Sequence, residues 1–451
     1  MSELDRRLLL AGAGLAGVAA LGRLAKAGPL DPPPGPVAPT GKTLTEVYNK
    51  IARTDAGMAE ARIPVESLPM DENGTRTITQ SGSYYLLGDL MPSVTNLIIT
   101  ANYVQLDLRG FRMPNAASSC ISVSGNYVKI HNGTIEQASS QGFGIRTSTA
   151  ITGLCLEDLI IRSSGTSIGR VGSSSSISRC VIRRCTFVGG GGDSAKITIG
   201  DYGLISECFV ETGVIGIDAG HHTHVERCSV NSNGFSTGGA VGIRVGDFSL
   251  VDSCRASCDG NGGWCIRAGA KSLVIGCTAS QLSVSGLSEA IGVGEGSMIS
   301  RCVAQSGRTG VVLGDGATCQ GTAISGGRYG ALLAGDRCVI EDCVIRAIPV
   351  PTTVFPAVTL GSNCLMRRNT VSEVPDKVAI SAVGHHNRIE ENTISSCGTG
   401  IETIGTGNLV ARNHCTVNTT DYSLAPGTKA GPIVSSPADP NGSHPWANFA
   451  T

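Results

Sequence analysis

The chain has 451 residues, a formal net charge of −1, 16% charged and 4% aromatic residues, and 61 glycines. A near-neutral balance without long runs of either sign excludes nucleic acid or an anionic membrane surface as the main partner, and so few aromatics exclude a large aromatic-centred core. The length suits two or three ordinary domains or one elongated repeat.

The first 27 residues form a targeting segment. Arg6-Arg7 precede an apolar stretch from Leu8 to about Gly22, and Ala25-Lys26-Ala27 supplies an A-x-A cleavage pattern. Paired arginines and a glycine-diluted apolar stretch read as a twin-arginine export signal, so the expected location is the periplasm, the cell surface or the medium. The stretch is short for a spanning helix, which takes about 20 residues, and no transmembrane span is expected in the mature chain. Residues 28–40 hold six prolines and form an extended linker. Between 41 and 75, Leu44, Val47, Tyr48 and Ile51 fall at helical spacing and predict an N-terminal helix and cap.

From Asn102 the chain reads "NYVQLDLRG", and from Asn126 it reads "NYVKIHNGT". Sliding the alignment onward, the place of Leu108 recurs at Asn132, Asp158, Cys185, Cys208, Cys228, Cys254, Cys277, Cys302, Gly321, Cys343, Asn369, Asn392 and Asn413, at intervals of 19 to 27 residues. Around the cysteines the pattern is aliphatic-x-x-Cys-x-apolar, as in Val225-Cys228-Val230. The step of two is strand alternation; the step of three before it requires a corner. A second block repeats as "GIDAG" at 216, "GIRVG" at 242 and "CIRAG" at 265. Short strands joined by corners at this period predict an all-β parallel β-helix of about 13–14 coils over 76–424, with an irregular C-terminal cap or tail at 425–451. Trp446 and Phe449 are expected to plug its open end.

The 17 cysteines leave at least one thiol unpaired. Stacked ladder positions hold side chains parallel at strand spacing, which is poor disulfide geometry. The ladder cysteines therefore read as buried, inert thiols, and the asparagines at the ladder's ends, Asn132, Asn369, Asn392 and Asn413, as stacks bonded amide to amide.

With "SGSYYLLGDL" at 81, "NYVQLDLRGF" at 102, the "LTEVYNKIAR" and "EARIPV" strings before them and "HPWANF" at the end, the chain resembles the right-handed parallel β-helix proteins of the pectin-lyase-like superfamily, closest to an exported bacterial group of largely unassigned activity. The resemblance covers nearly all of 41–451. It implies a protein that binds or acts on acidic polysaccharide, as a lyase or glycoside hydrolase, or else a non-catalytic envelope or surface protein displaying loops. The polygalacturonase signature set is absent, and Gly220-His221-His222 echoes only one of its members.

In such folds a groove along one sheet holds the polymer. Alternation from Ile217 and Ala219 turns Asp218 outward, and likewise Arg244 and Arg267, giving a row over three coils that continues as Gly292, Val312 and Leu332. Arginines there could clamp uronate carboxylates; the alternative is a stack of opposite charges covering an exposed sheet. His221, His222 and His224 cluster within four residues, with His222 and His224 on one face if extended, as acid–base groups or metal ligands, or as plain loop histidines. Asp201, Asp247, Glu295, Asp315 and Asp336 follow the same strand in several coils. Asp201 and Asp247 are the candidate Ca²⁺ ligands, although Gly-Asp turns arise for backbone reasons alone. Alternation from Ile266 puts Trp264 inward, as packing.

Overall fold

In the computed structural model, residues 62–451 are described, apart from short segments at 91–94, 116, 171–175, 190–194, 234–238, 260–262, 282–287, 348–354 and 437–443. The signal, the linker and the helix expected around Leu44–Ile51 lie outside the described residues.

The described chain is an all-β solenoid of about 14 turns. A representative turn carries strands Leu204–Ser206, Phe209–Thr212 and Ile215–Ala219, and the next turn lays His224–Glu226, Ser229–Ser232 and Val241–Val245 against them in parallel register. Strands on three faces thus stack coil upon coil. The pairing begins before Arg76, with Ile63–Pro64 on Tyr84–Tyr85, and passes beyond Leu424 to Asn448–Ala450. A short 3₁₀ turn, Val65–Ser67, interrupts the strands near the start of the described residues. Among the described residues no helix is long and apolar enough to cross a membrane.

Each coil closes through corners that spend one residue in the left-handed region. Between the first and second faces these are Glu207, Arg227, Ser253, Gly276 and Arg301, with φ from 50° to 61°. The residue after each is the ladder cysteine. Strand register shows that the ladder runs through Gly133, Leu159, Cys185, Cys208, Cys228, Cys254, Cys277, Cys302, Thr322, Cys343, Asn369, Asn392, Asn413 and Asn448. Asn132, Asp158 and Gly321, placed on the ladder by the sequence alignment, are instead left-handed corner residues one position earlier, with φ of 61°, 53° and 57°. Asn, Asp and Gly tolerate that conformation best, and so mimic the ladder in sequence.

From Cys228 onward most of the ladder shares one hydrogen-bond pattern. The Cys228, Cys254 and Cys277 backbone N–H groups donate to the sulfur of the following coil, at 3.4 to 3.5 Å. Cys302 N–H donates to Thr322 Oγ1, and Cys343, Asn369, Asn392 and Asn413 N–H groups donate to the next Asn Oδ1 at 2.9 to 3.1 Å. Each side chain is an acceptor for a buried corner amide that would otherwise lack a partner. Sulfur, hydroxyl and amide oxygen therefore interchange. The terminal asparagines also bond amide to amide, Asn369 to Asn392 to Asn413 to Asn448. Asn448 is wholly buried and ends the series, whereas Trp446 and Phe449 are 48% and 36% exposed and do not plug the end.

On the third face alternation breaks once per coil. Two consecutive residues turn inward, and the first belongs to a column reading Cys120, Gly144, Ser167, Lys196, Gly216, Gly242, Cys265, Ala290, Gly310 and Ala331. A Cβ on Gly216 would lie 2.3 Å from Val230 Cγ1, so the column takes small residues. Lys196 is the exception: it is 1% exposed and its ammonium donates to the Ser163 and Gly165 carbonyls.

Candidate functional site

The third face between Asp218 and Val312 forms a cleft of about 580 Å³. Five strands position it: β1 (Ile215–Ala219), β2 (Val241–Val245), β3 (Gly263–Ala268), β4 (Ser288–Val293) and β5 (Thr309–Leu313). Register places Asp218, Arg244, Arg267, Gly292 and Val312 in one row. The row then reaches Leu333, not Leu332, which is buried. The expected outward row is present, and its middle is concave.

Asp218 and Arg244 are joined by two hydrogen bonds of 2.7 Å, Nε to Oδ1 and Nη2 to Oδ2. This carboxylate contact raises the Arg244 pKa above its ordinary value against the opposing effect of burial. Arg267 has no ion pair among the described residues; its guanidinium lies 4.2 Å from the centre of the Trp264 ring.

Trp264 is not core. Cys265 and Ile266 both face inward, at 0% exposure, so the break in alternation returns Trp264 to the outer side. Its ring lies beside Gly292, where an added Cβ would sit 3.4 Å from the indole Cδ1. The indole N–H donates to Glu289 Oε2 on the neighbouring strand. Burial raises the Glu289 pKa, against the opposing effects of the Trp264 hydrogen bond and of Arg267 and Arg308. A carboxyl with a raised pKa, an aromatic ring and a cation without an ion pair among the described residues thus meet in the cleft. Sequence reasoning missed Glu289; the signal was its register partner Trp264, one coil earlier in the same block.

Of the histidines, His221 lines the cleft's edge. Its Nδ1 accepts the Asp247 N–H at 2.9 Å, which leaves the proton of the neutral ring on Nε2. His222 occupies a left-handed corner (φ 54°) and stacks between Tyr202 and Phe248, at 4.9 and 5.1 Å, away from the cleft. That corner separates it from His224, which sits on the first face 3.7 Å from Glu226. The three do not converge.

The acids after the third face also follow an acceptor rule. Asp201 Oδ1 accepts the His221 N–H, Asp247 Oδ1 that of Ala270, Asp315 Oδ1 that of Asp336, and Asp336 Oδ1 that of Ser362, at 2.7 to 3.0 Å. Asp201 and Asp247 lie two coils apart with His221 between them, each with one oxygen already engaged. Ca²⁺ takes six to eight oxygens, and among the described residues no three His, Cys, Asp or Glu converge as a metal site. The two aspartates do not fit a calcium cage.

The family model for the right-handed beta helix region matches residues 289–436. No curated protein matches the sequence significantly. Among solved structures, the A-module of the Azotobacter vinelandii mannuronan C-5 epimerase AlgE4 is 11% identical over 81% of this chain and 99% of its own, with a TM-score of 0.33. A tailspike protein mutant of E. coli bacteriophage HK620, in complex with a pentasaccharide, is 12% identical over 87% and 83%, with a TM-score of 0.41. The DFA-IIIase of Arthrobacter chlorophenolicus A6 is 12% identical over 92% and 96%, with a TM-score of 0.28. At these identities and scores the likenesses say nothing of this chain's chemistry. The stacked coils, with the family match over residues 289–436, give this chain the right-handed parallel β-helix fold.

Proposed function

We propose that this is an exported protein that binds acidic polysaccharide across the third-face cleft and acts on it by proton transfer from Glu289. The cluster of Trp264, Arg267 and Glu289 carries the reading. Trp264 supplies an apolar surface for a sugar ring, and Arg267 a fork free to take a uronate carboxylate in two hydrogen bonds. Glu289, whose pKa burial raises, is placed to donate a proton to the glycosidic oxygen as the bond to the leaving sugar breaks; water adds at the sugar carbon left behind, and its proton returns to the Glu289 carboxylate. Arg244, committed to Asp218, shapes the wall and orients the carboxylate. No step needs a metal.

Binding without turnover is the second reading. It is favoured by the Asp218–Arg244 pair: glycoside hydrolysis uses two carboxyl groups, and one of the two in this cleft is already engaged.

The test offers the purified chain polyuronates and neutral glycans, with and without Ca²⁺, following unsaturated product in the ultraviolet and reducing ends in parallel. Turnover lost in Glu289→Gln supports the enzyme. Retention of acidic glycan without product, lost in Arg267→Ala, supports the binder. Neither product nor retention ends both readings. Export is tested separately: Arg6→Lys with Arg7→Lys should strand the chain in the cytoplasm.

A further inference from the structure

The corner between the third and first faces carries a second, unassigned feature. Its left-handed position is occupied in successive coils by Tyr103, Tyr127, Gly153, Arg179, Tyr202, His222, Phe248 and Lys271. Left-handed backbone is costly for aromatic residues, and Tyr103, Tyr127, Tyr202 and Phe248 are 47% to 66% exposed. The rings form two piles. Tyr103 and Tyr127 stack at 5.1 Å and 6°; Tyr202, His222 and Phe248 stack at 4.9 and 5.1 Å, with Lys271 Nζ 5.3 Å beyond.

Rings stacked along the coil axis cover one another's faces and show their edges to solvent. The exception is the break between the piles, where Gly153 and Arg179 interrupt the rings. Any side chain at Gly153 would strike Tyr127, since an added Cβ lies 2.6 Å from its Cδ1. A notch of about 500 Å³ opens there, lined by Tyr127, Arg179 and Tyr202. Polar groups of the kind that grip hydroxyl pairs complete it. Thr152 and Ser178 hydroxyls lie 3.1 Å apart, and Asn126 accepts the Thr152 N–H through Oδ1, leaving its amide donors unengaged among the described residues. Arg179 makes no ion pair among the described residues.

We propose that this notch is a second saccharide site, outside the cleft, which holds one pyranose residue of a glycan chain. Its C–H face lies on the ring of Tyr202 or Tyr127, and its hydroxyls meet Arg179 and Asn126. Aromatic faces joined to a few convergent polar groups are what a sugar ring requires. A wholly apolar partner would leave the amide and guanidinium donors unpaired. The site is independent of the cleft's chemistry, and it would let the protein hold a polymer at two places at once.

The experiment uses the full chain with the cleft disabled by Trp264→Ala and Arg267→Ala, applied to an array of neutral and acidic glycans. The expected result is residual binding, weakened about 10-fold or more when Tyr127→Ala and Tyr202→Ala are added and retained with Tyr127→Phe and Tyr202→Phe, which keep the ring faces. Absence of residual binding, or binding unmoved by the alanine pair, overturns the second site. Turnover by the notch variants with an intact cleft reports separately on the function proposed above.

Discussion

Asp218 takes both ends of the Arg244 guanidinium at 2.7 Å, while Arg267, one coil further along the same row, lies on Trp264 with no carboxylate partner among the described residues. Two arginines that look alike in sequence are therefore unlike as ligands. Arg267→Ala should weaken acidic-glycan affinity by about 10- to 100-fold, the loss of a charge-assisted pair. Arg244→Ala should weaken it much less, because that cation is already neutralised. Affinity electrophoresis in gels containing polyuronate measures both; equal losses would mean the pair opens on binding.

Glu289→Gln removes the acidic proton while keeping the side chain's shape and an acceptor for the Trp264 N–H. Turnover should fall at least ~100-fold with little change in glycan retention. Because the Glu289 pKa is raised by burial, wild-type activity should decline as pH rises through that pKa. The same shift acts on stability. The folded state holds the proton where the unfolded state has released it, so between the two pKa values stability falls as pH rises. Urea unfolding across that window should show the slope, and Glu289→Gln should lack it.

The acceptor ladder predicts an order of severity at Cys254, whose sulfur accepts the Cys228 N–H. Cys254→Ala leaves that buried amide without a partner and should cost about 1–3 kcal/mol. Cys254→Thr restores an oxygen, as Thr322 does naturally beneath Cys302, and should cost less. Chemical denaturation of the two variants measures the difference; alanine no worse than threonine would remove the ladder's energetic role.

Sixteen of the 17 cysteines are buried, and only Cys155 is partly accessible. Burial pushes the Cys120 and Cys415 thiols up to about 12, far from the thiolate form that reacts. Iodoacetamide at pH 8 should modify the native protein at Cys155 alone, with the remainder alkylated only after denaturation. Peptide mass mapping reads the sites directly.

Lys196 is the one long cation in a column of small residues. Burial lowers its pKa to about 8, from 10.5. Below pH 8 both states hold the proton, and the penalty of burying charge is fully present. From there to about 10.5 the unfolded state binds more protons than the folded one, so stability rises with pH. Relative to Lys196→Met, the wild type should gain up to about 3 kcal/mol across that window, less whatever the two carbonyls lose with their donor. A pH-independent difference between the two proteins would place the ammonium in contact with water.

The sequence by itself determined the coil, its period and the inward positions. Each follows from local rules: apolar side chains must alternate on a strand, and corners recur at the same place in every turn. Cys208, Cys228 and Cys254 could be aligned from their neighbours alone, and Asp218, Arg244 and Arg267 could be set on one outward row. What fails in sequence is a slip of one residue. Asn132, Asp158 and Gly321 carry ladder-like chemistry in a left-handed corner, and Trp264 sits beyond a bend where two inward residues follow one another. Only the stacked coils decide such cases, because register is fixed by pairing with residues some 20 to 26 positions away. The same stacking chose which charges meet: it joined Arg244 to Asp218, left Arg267 on Trp264, brought Glu289 into the cleft, and carried His222 to the outer stack of rings. Those contacts run between coils, where a single strand's alternation has nothing to say.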